Sequence, residues 1–157
     1  MNWLAVSSIA EAVGVIFVFI SVVYLALQVR QNTHAIKASS HHAITDSFNS
    51  ISALVAQDPQ IGRLWRLGSE KLSNLTEDEQ VSYSFICIMY MRVMETLYYQ
   101  KKVGTMEEQL FDTEEQTLHV FFAFPGMREW WAANPYSFST EYRNHINTII
   151  EEVDASA

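Results

Sequence analysis

From Ala12 to Val29 the chain runs for 18 residues without a charged side chain. At about 1.5 Å per helical residue such a run covers about 27 Å, close to the ~30 Å hydrocarbon core of a bilayer. A signal peptide would start with a basic region and end in a small-x-small cleavage site. The stretch "MNWLAVSSIAEA" holds no Lys or Arg, and no such site follows the apolar run. The expectation is therefore a membrane-spanning helix, in preference to a signal peptide or a buried core helix.

That segment accounts for an unusual composition. Hydrophobic residues make up 49% of the 157 residues and charged ones only 18%. The first 29 residues contain one charged side chain, Glu11, and all ten Lys and Arg lie beyond it, from Arg30 onward. The remainder holds 17 acids against 10 bases. An acidic domain of this kind is a poor partner for the phosphates of nucleic acid. The single cysteine, Cys87, excludes an intrachain disulfide and suits a reducing compartment.

Flanking charge sets the expected orientation. Arg30 and Lys37 follow the span and no basic side chain precedes it, which places the C-terminal side in the cytoplasm and the N-terminus outside an inner membrane. Trp3 and Tyr24 suit the interfaces or their approaches.

The rest of the chain reads as helix. Val29, Ile36, Ile44, Phe48, Ile51 and Val55, in steps of 7, 8, 4, 3 and 4, trace one helical face, and no Pro or Gly intervenes before Asp58-Pro59. One long helix is expected from about Ile9 to about Gln57, softest near Ser39-Ser40. "PQIGRLWRLGSEKL" predicts a short helix ending around Gly68. Thr76-x-x-Glu79 is a capping box. It opens a helix of about Glu77 to Val103 that stops at Lys101, Lys102 and Gly104. Being apolar on most faces between Phe85 and Leu97, this should be the central helix. Thr105-x-x-Glu108 suggests a second capping box, with a helix stopped by Pro125-Gly126. The segment "GMREWWAANP" predicts a short helix or turn with one tryptophan buried and the other at a neighbour or the bilayer. Ser139 starts a last helix, about Thr140 to Val153, with a fraying "DASA" tail. The expected class is all-α: 1–29 transmembrane helix with a short outer N-terminus, 30–57 juxtamembrane stalk helix, 58–157 helical cytoplasmic domain.

Within the span, Ser7, Gly14, Ser21 and Gln28 recur every seven residues and form a narrow stripe of small or polar side chains. Glu11 borders it, about 40° from Ser7. Small residues let helices approach closely, and Ser or Gln bonds across such a seam. The stripe reads either as a packing seam or as the lining of a pore, with Glu11 at its outer mouth and Gln28 at its inner one.

Chemistry-bearing residues elsewhere are sparse. Arg92 and Glu95, three apart in the most apolar soluble helix, read as a structural ion pair or as a carboxylate poised in a pocket beside Tyr98 or Tyr99. His34 and His41 share a stalk face, which reads as solvated unless oligomerisation brings copies together. His42, His119 and His145 complete no metal-ligand spacing. Cys87 has no acid-base partner at useful spacing, and Asp112, Glu114 and Glu115 read as a solvated face. No cofactor motif, catalytic site or metal site is expected.

The segments "YLALQVRQNTHAIKASS", "DPQIGRLW", "RVMETLYYQKKVGTMEEQLF" and "PGMREWWAANPYSFSTEYRNHI" together span most of the chain. In them the sequence resembles a family of small, largely uncharacterised bacterial single-pass membrane proteins with a basic "QxRQNT"-like junction after the span. The resemblance implies a membrane helix followed by a helical cytoplasmic domain, and no activity. The expected role is non-catalytic. The chain would form a homo-oligomeric assembly or serve as accessory subunit of a membrane complex, with the bilayer and itself or another membrane protein as partners. An ion channel lined by the first helix, or a membrane-proximal enzyme using Glu95, are the alternatives.

Overall fold

The computed structural model describes residues 3–106, 108–134 and 136–156, and the side chains of residues 4–10 lie outside that description. It is all-α, with no strand among the described residues. The helices are α1 (Trp3–Gln57), α2 (Pro59–Glu70), α3 (Glu77–Lys102), α4 (Glu108–Phe122), α5 (Pro125–Ala133) and α6 (Thr140–Ser156), with a 3₁₀ turn at Leu72–Asn74.

The chain divides into two units, Met1–Ser39 and Ser40–Ala157. The first holds a helix whose most apolar window is entirely unburied within the chain. The second is a helical bundle. Within it, Ile44 and Ile51 of α1 are buried and Phe48 is half-buried, as the apolar steps along that face require.

Local chemistry sets the helix ends. Asp58 caps α2 by accepting the Gln60 N–H at 2.8 Å, and Pro59, lacking an N–H, sits where none is needed. At α3 the Thr76 hydroxyl accepts the Glu79 N–H (3.3 Å) while the Glu79 carboxylate accepts the Thr76 N–H (2.9 Å). Gly104, at φ +75°, provides the left-handed residue that ends α3.

Several ends differ from the sequence reading. Helix α2 continues through Gly68 to Glu70, because Gly68 is a packing residue and not a stop. A Cβ there would come within 2.5 Å of the Tyr83 ring, and a Cβ on Gly126 would strike the Gly68 carbonyl. Two glycines thus let α2 and α5 touch backbone to backbone. The Thr105 hydroxyl donates to the Gln100 carbonyl, closing α3; residue 107 of the second expected box lies outside the described residues, and α4 is described from Glu108. Helix α6 reaches Ser156 without fraying at Asp154, which pairs with Arg128 of α5.

Helix α3 is central. Its Tyr83, Cys87, Met91 and Met94 lie in the main core with Phe122, Met127, Trp130 and Ile146, and its Leu97 joins Ile44, Met106 and Phe111 in a second cluster. Both tryptophans of α5 are buried, where the sequence suggested one. Each indole N–H has an acceptor, Trp130 donating to Ser84 (2.9 Å) and Trp131 to Asn147 (3.1 Å), so neither ring has to stay wet.

Candidate functional site

The stripe of the first helix is open to its surroundings. Glu11, Gly14, Ser21 and Gln28 are all exposed within the chain, and a Cβ on Gly14 would meet nothing within 4 Å. The Ser7 side chain lies outside the described residues. The Ser21 hydroxyl donates to the Phe17 carbonyl at 2.8 Å. It is thereby satisfied by its own helix, a state compatible with an apolar medium, and still offers acceptor capacity to a neighbour. Phe17, Phe19 and Leu25 are also exposed.

The Arg92–Glu95 pair sits at a junction of α3 and the start of α6. The Arg92 guanidinium donates to Oε2 of Glu95 at 2.9 Å and lies 5.1 Å from the centre of the Phe138 ring. The other oxygen of Glu95 accepts the backbone N–H of Ser139 at 2.8 Å. Ser139 in turn accepts the Tyr142 N–H at 3.4 Å, so it is the N-cap of α6. Both carboxylate oxygens are engaged, and Glu95 is only 18% exposed at its side chain. This geometry holds two helices together.

Further along the same seam, Glu141 binds Lys102 (2.7 Å) and accepts the Tyr98 hydroxyl (3.3 Å). The lysine beside it holds the Glu141 carboxyl below its ordinary range. The Tyr98 ring stacks on His145, centroids 4.7 Å apart. His145 Nε2 lies 2.9 Å from Glu115, at ion-pair distance but misaligned for a hydrogen bond. Burial pushes the His145 pKa down, with Glu115 opposing and Lys101 assisting. His119 behaves oppositely. Its bond to Glu152 (3.0 Å) raises its pKa. Glu115 is therefore a half-buried partner of α6, a departure from the solvated face expected of it.

His34, His41 and His42 are exposed, and the last two rings are 6.1 Å apart. Among the described residues no three His, Cys, Asp or Glu side chains converge as a metal would require. The Cys87 thiol is fully buried against Met127, and burial pushes its pKa up to about 12.

One feature escaped the sequence reading. Expected to be the central helix, and central in the bundle, α3 leaves Phe85 63% and Met89 42% exposed. They line a cleft of about 520 Å³ with Leu54, Ile61 and Leu64, rimmed by Asp58, Arg63, Asp78 and Glu79. A helix apolar on nearly every face signals such a patch only when its neighbours are known to be too few to cover it.

No protein-family model, curated protein or solved structure matches the chain.

Proposed function

We propose that the chain is a non-catalytic single-pass protein of the inner membrane that assembles with itself through its first helix, the acidic bundle lying in the cytoplasm. The observation that carries this reading is an 18-residue uncharged helix of which nothing is buried by its own chain. Exposing so much apolar surface to water is untenable for a folded protein, and a bilayer removes the cost. The absence of basic residues before the span and Arg30 and Lys37 after it support an outer N-terminus.

Self-assembly is supported by the open stripe. A helix meeting only lipid has no use for Gly14 and Gln28 on one line with Ser21, whereas a helix meeting protein does. The engagement of both Glu95 oxygens favours a structural role over catalysis there. The pore reading rests on the same stripe together with Glu11 at its edge, and differs in having water on that line.

The test is the mass of the particle purified in mild detergent. Wild type is expected as an oligomer, and Gly14→Leu or Ser21→Leu should shift it toward monomer with the helical content unchanged. A wild-type monomer at all concentrations would overturn the proposal. Ion flux into liposomes that falls with Glu11→Gln would select the pore.

A further inference from the structure

We infer that two copies of the chain hold one divalent transition-metal ion of the zinc class between them, through His42 and Asp46 of each. The inference rests on the self-assembly reading above and adds a ligand to it. In the sequence the seven-residue spacing of the stripe runs on past Gln28 to Ala35, His42 and Asn49, and α1 is one helix from Trp3 to Gln57. A strict repeat of seven stays on one seam when parallel helices wind around each other with a left-handed supercoil. Copies joined along the stripe therefore meet at His42.

The bundle leaves that line free. Ile44, Phe48 and Ile51 turn one side of α1 into the core. On a helix of 3.6 residues per turn, His42 and Asp46 lie about 120–180° from all three. His42, Asp46 and Asn49 are exposed. Among the described residues neither the His42 ring nor the Asp46 carboxylate has an ion-pair partner, and the bond to Asp46 from Ser50 goes to its backbone carbonyl. The neighbouring His41 falls about 20° from Phe48 and so lies off the seam.

The ligand chemistry follows from the spacing. His42 and Asp46 are four residues apart, the separation at which one helix face offers two ligands to one ion. One copy supplies an imidazole nitrogen and a carboxylate oxygen, which is too few. A two-fold related copy doubles them to the four ligands of a tetrahedral site, so the site is incomplete without the second chain. Charge points the same way. Two Asp46 carboxylates facing each other across a seam repel, and a divalent cation neutralises both. The imidazoles set the class of metal, since calcium and magnesium take oxygen ligands and nitrogen suits zinc and its neighbours.

The experiment titrates Zn²⁺ into metal-stripped, untagged full-length protein in mild detergent, reading bound metal by elemental mass spectrometry and particle mass by light scattering. One Zn²⁺ per two chains is expected, and the oligomer should survive about tenfold greater dilution with Zn²⁺ than with EDTA. His42→Gln and Asp46→Asn should each weaken Zn²⁺ retention by about 100-fold, with helical content unchanged. His34→Gln and His41→Gln should retain the metal. The buried Cys87 thiol offers no competing thiolate. A wild-type oligomer that takes up no Zn²⁺ at micromolar concentration would overturn this inference alone. So would Zn²⁺ binding indifferent to His42→Gln, or one Zn²⁺ held by each monomeric chain. A chain that stays monomeric with and without Zn²⁺ would remove both this site and the self-assembly reading.

Discussion

The carboxylate of Glu95 accepts the backbone N–H of Ser139 at 2.8 Å, so a residue in the middle of α3 satisfies the first free amide of α6. In a capping box the reciprocal acceptor comes three residues along the same helix. Here it comes from another helix, and the local cap becomes a tertiary clasp. Glu95→Ala should cost about 1–2 kcal/mol, the range for losing a charged acceptor at a helix start. Arg92→Ala should cost less than about 1 kcal/mol, since its side chain is half exposed. Thermal unfolding gives the totals. Amide exchange tests the clasp, with protection in Glu95→Ala lost first at Ser139 to Arg143.

Gly126 and Gly68 bring α5 and α2 into backbone contact. Because a Cβ at Gly126 would collide with the Gly68 carbonyl, and a backbone carbonyl cannot move aside, Gly126→Ala should cost about 3 kcal/mol or more. Gly14→Ala should leave the bundle's unfolding temperature unchanged, since nothing lies within 4 Å of it in the chain. A neutral Gly126→Ala in thermal unfolding would contradict the packing described.

The two histidines between α4 and α6 should titrate in opposite directions. His119 has a raised folded pKa. Its stabilisation is full below the unfolded value of about 6.5 and is lost as pH rises through the folded one. His145 has a lowered folded pKa. Its contribution is present above about 6.5 and is lost as pH falls through the folded value. Histidine NMR should find the two on either side of a free imidazole. His119→Gln should flatten the alkaline side of the stability curve, and His145→Gln the acid side.

The Cys87 thiol, held at about 12 and fully buried, should react with thiol reagents at least ~10³-fold more slowly than a free thiol at pH 8. Ellman's reagent should find no fast-reacting thiol until denaturant is added. Rapid reaction in the native protein would mean that α3 opens locally.

The sequence alone determined what depends on neighbours along the chain. An 18-residue uncharged run specifies a long apolar helix because span length and hydropathy are additive properties of consecutive residues. The Thr76–Glu79 box, Asp58-Pro59 and Gly104 set helix ends within a residue or two because capping involves groups three or four positions apart. The inward line Ile44, Phe48 and Ile51 was legible for the same reason. Tertiary structure decided whatever depends on groups far apart in sequence. Gly68 looked like a stop because nothing local tells that Tyr83 and Gly126 will press against it. Glu95 read as half of a structural ion pair within α3 until Ser139, 44 residues on, reached its second oxygen. The apolar faces of α3 marked it as the central helix. Only the number and placement of its neighbours left Phe85 and Met89 open, since periodicity counts the apolar faces of a helix and not the partners available to cover them.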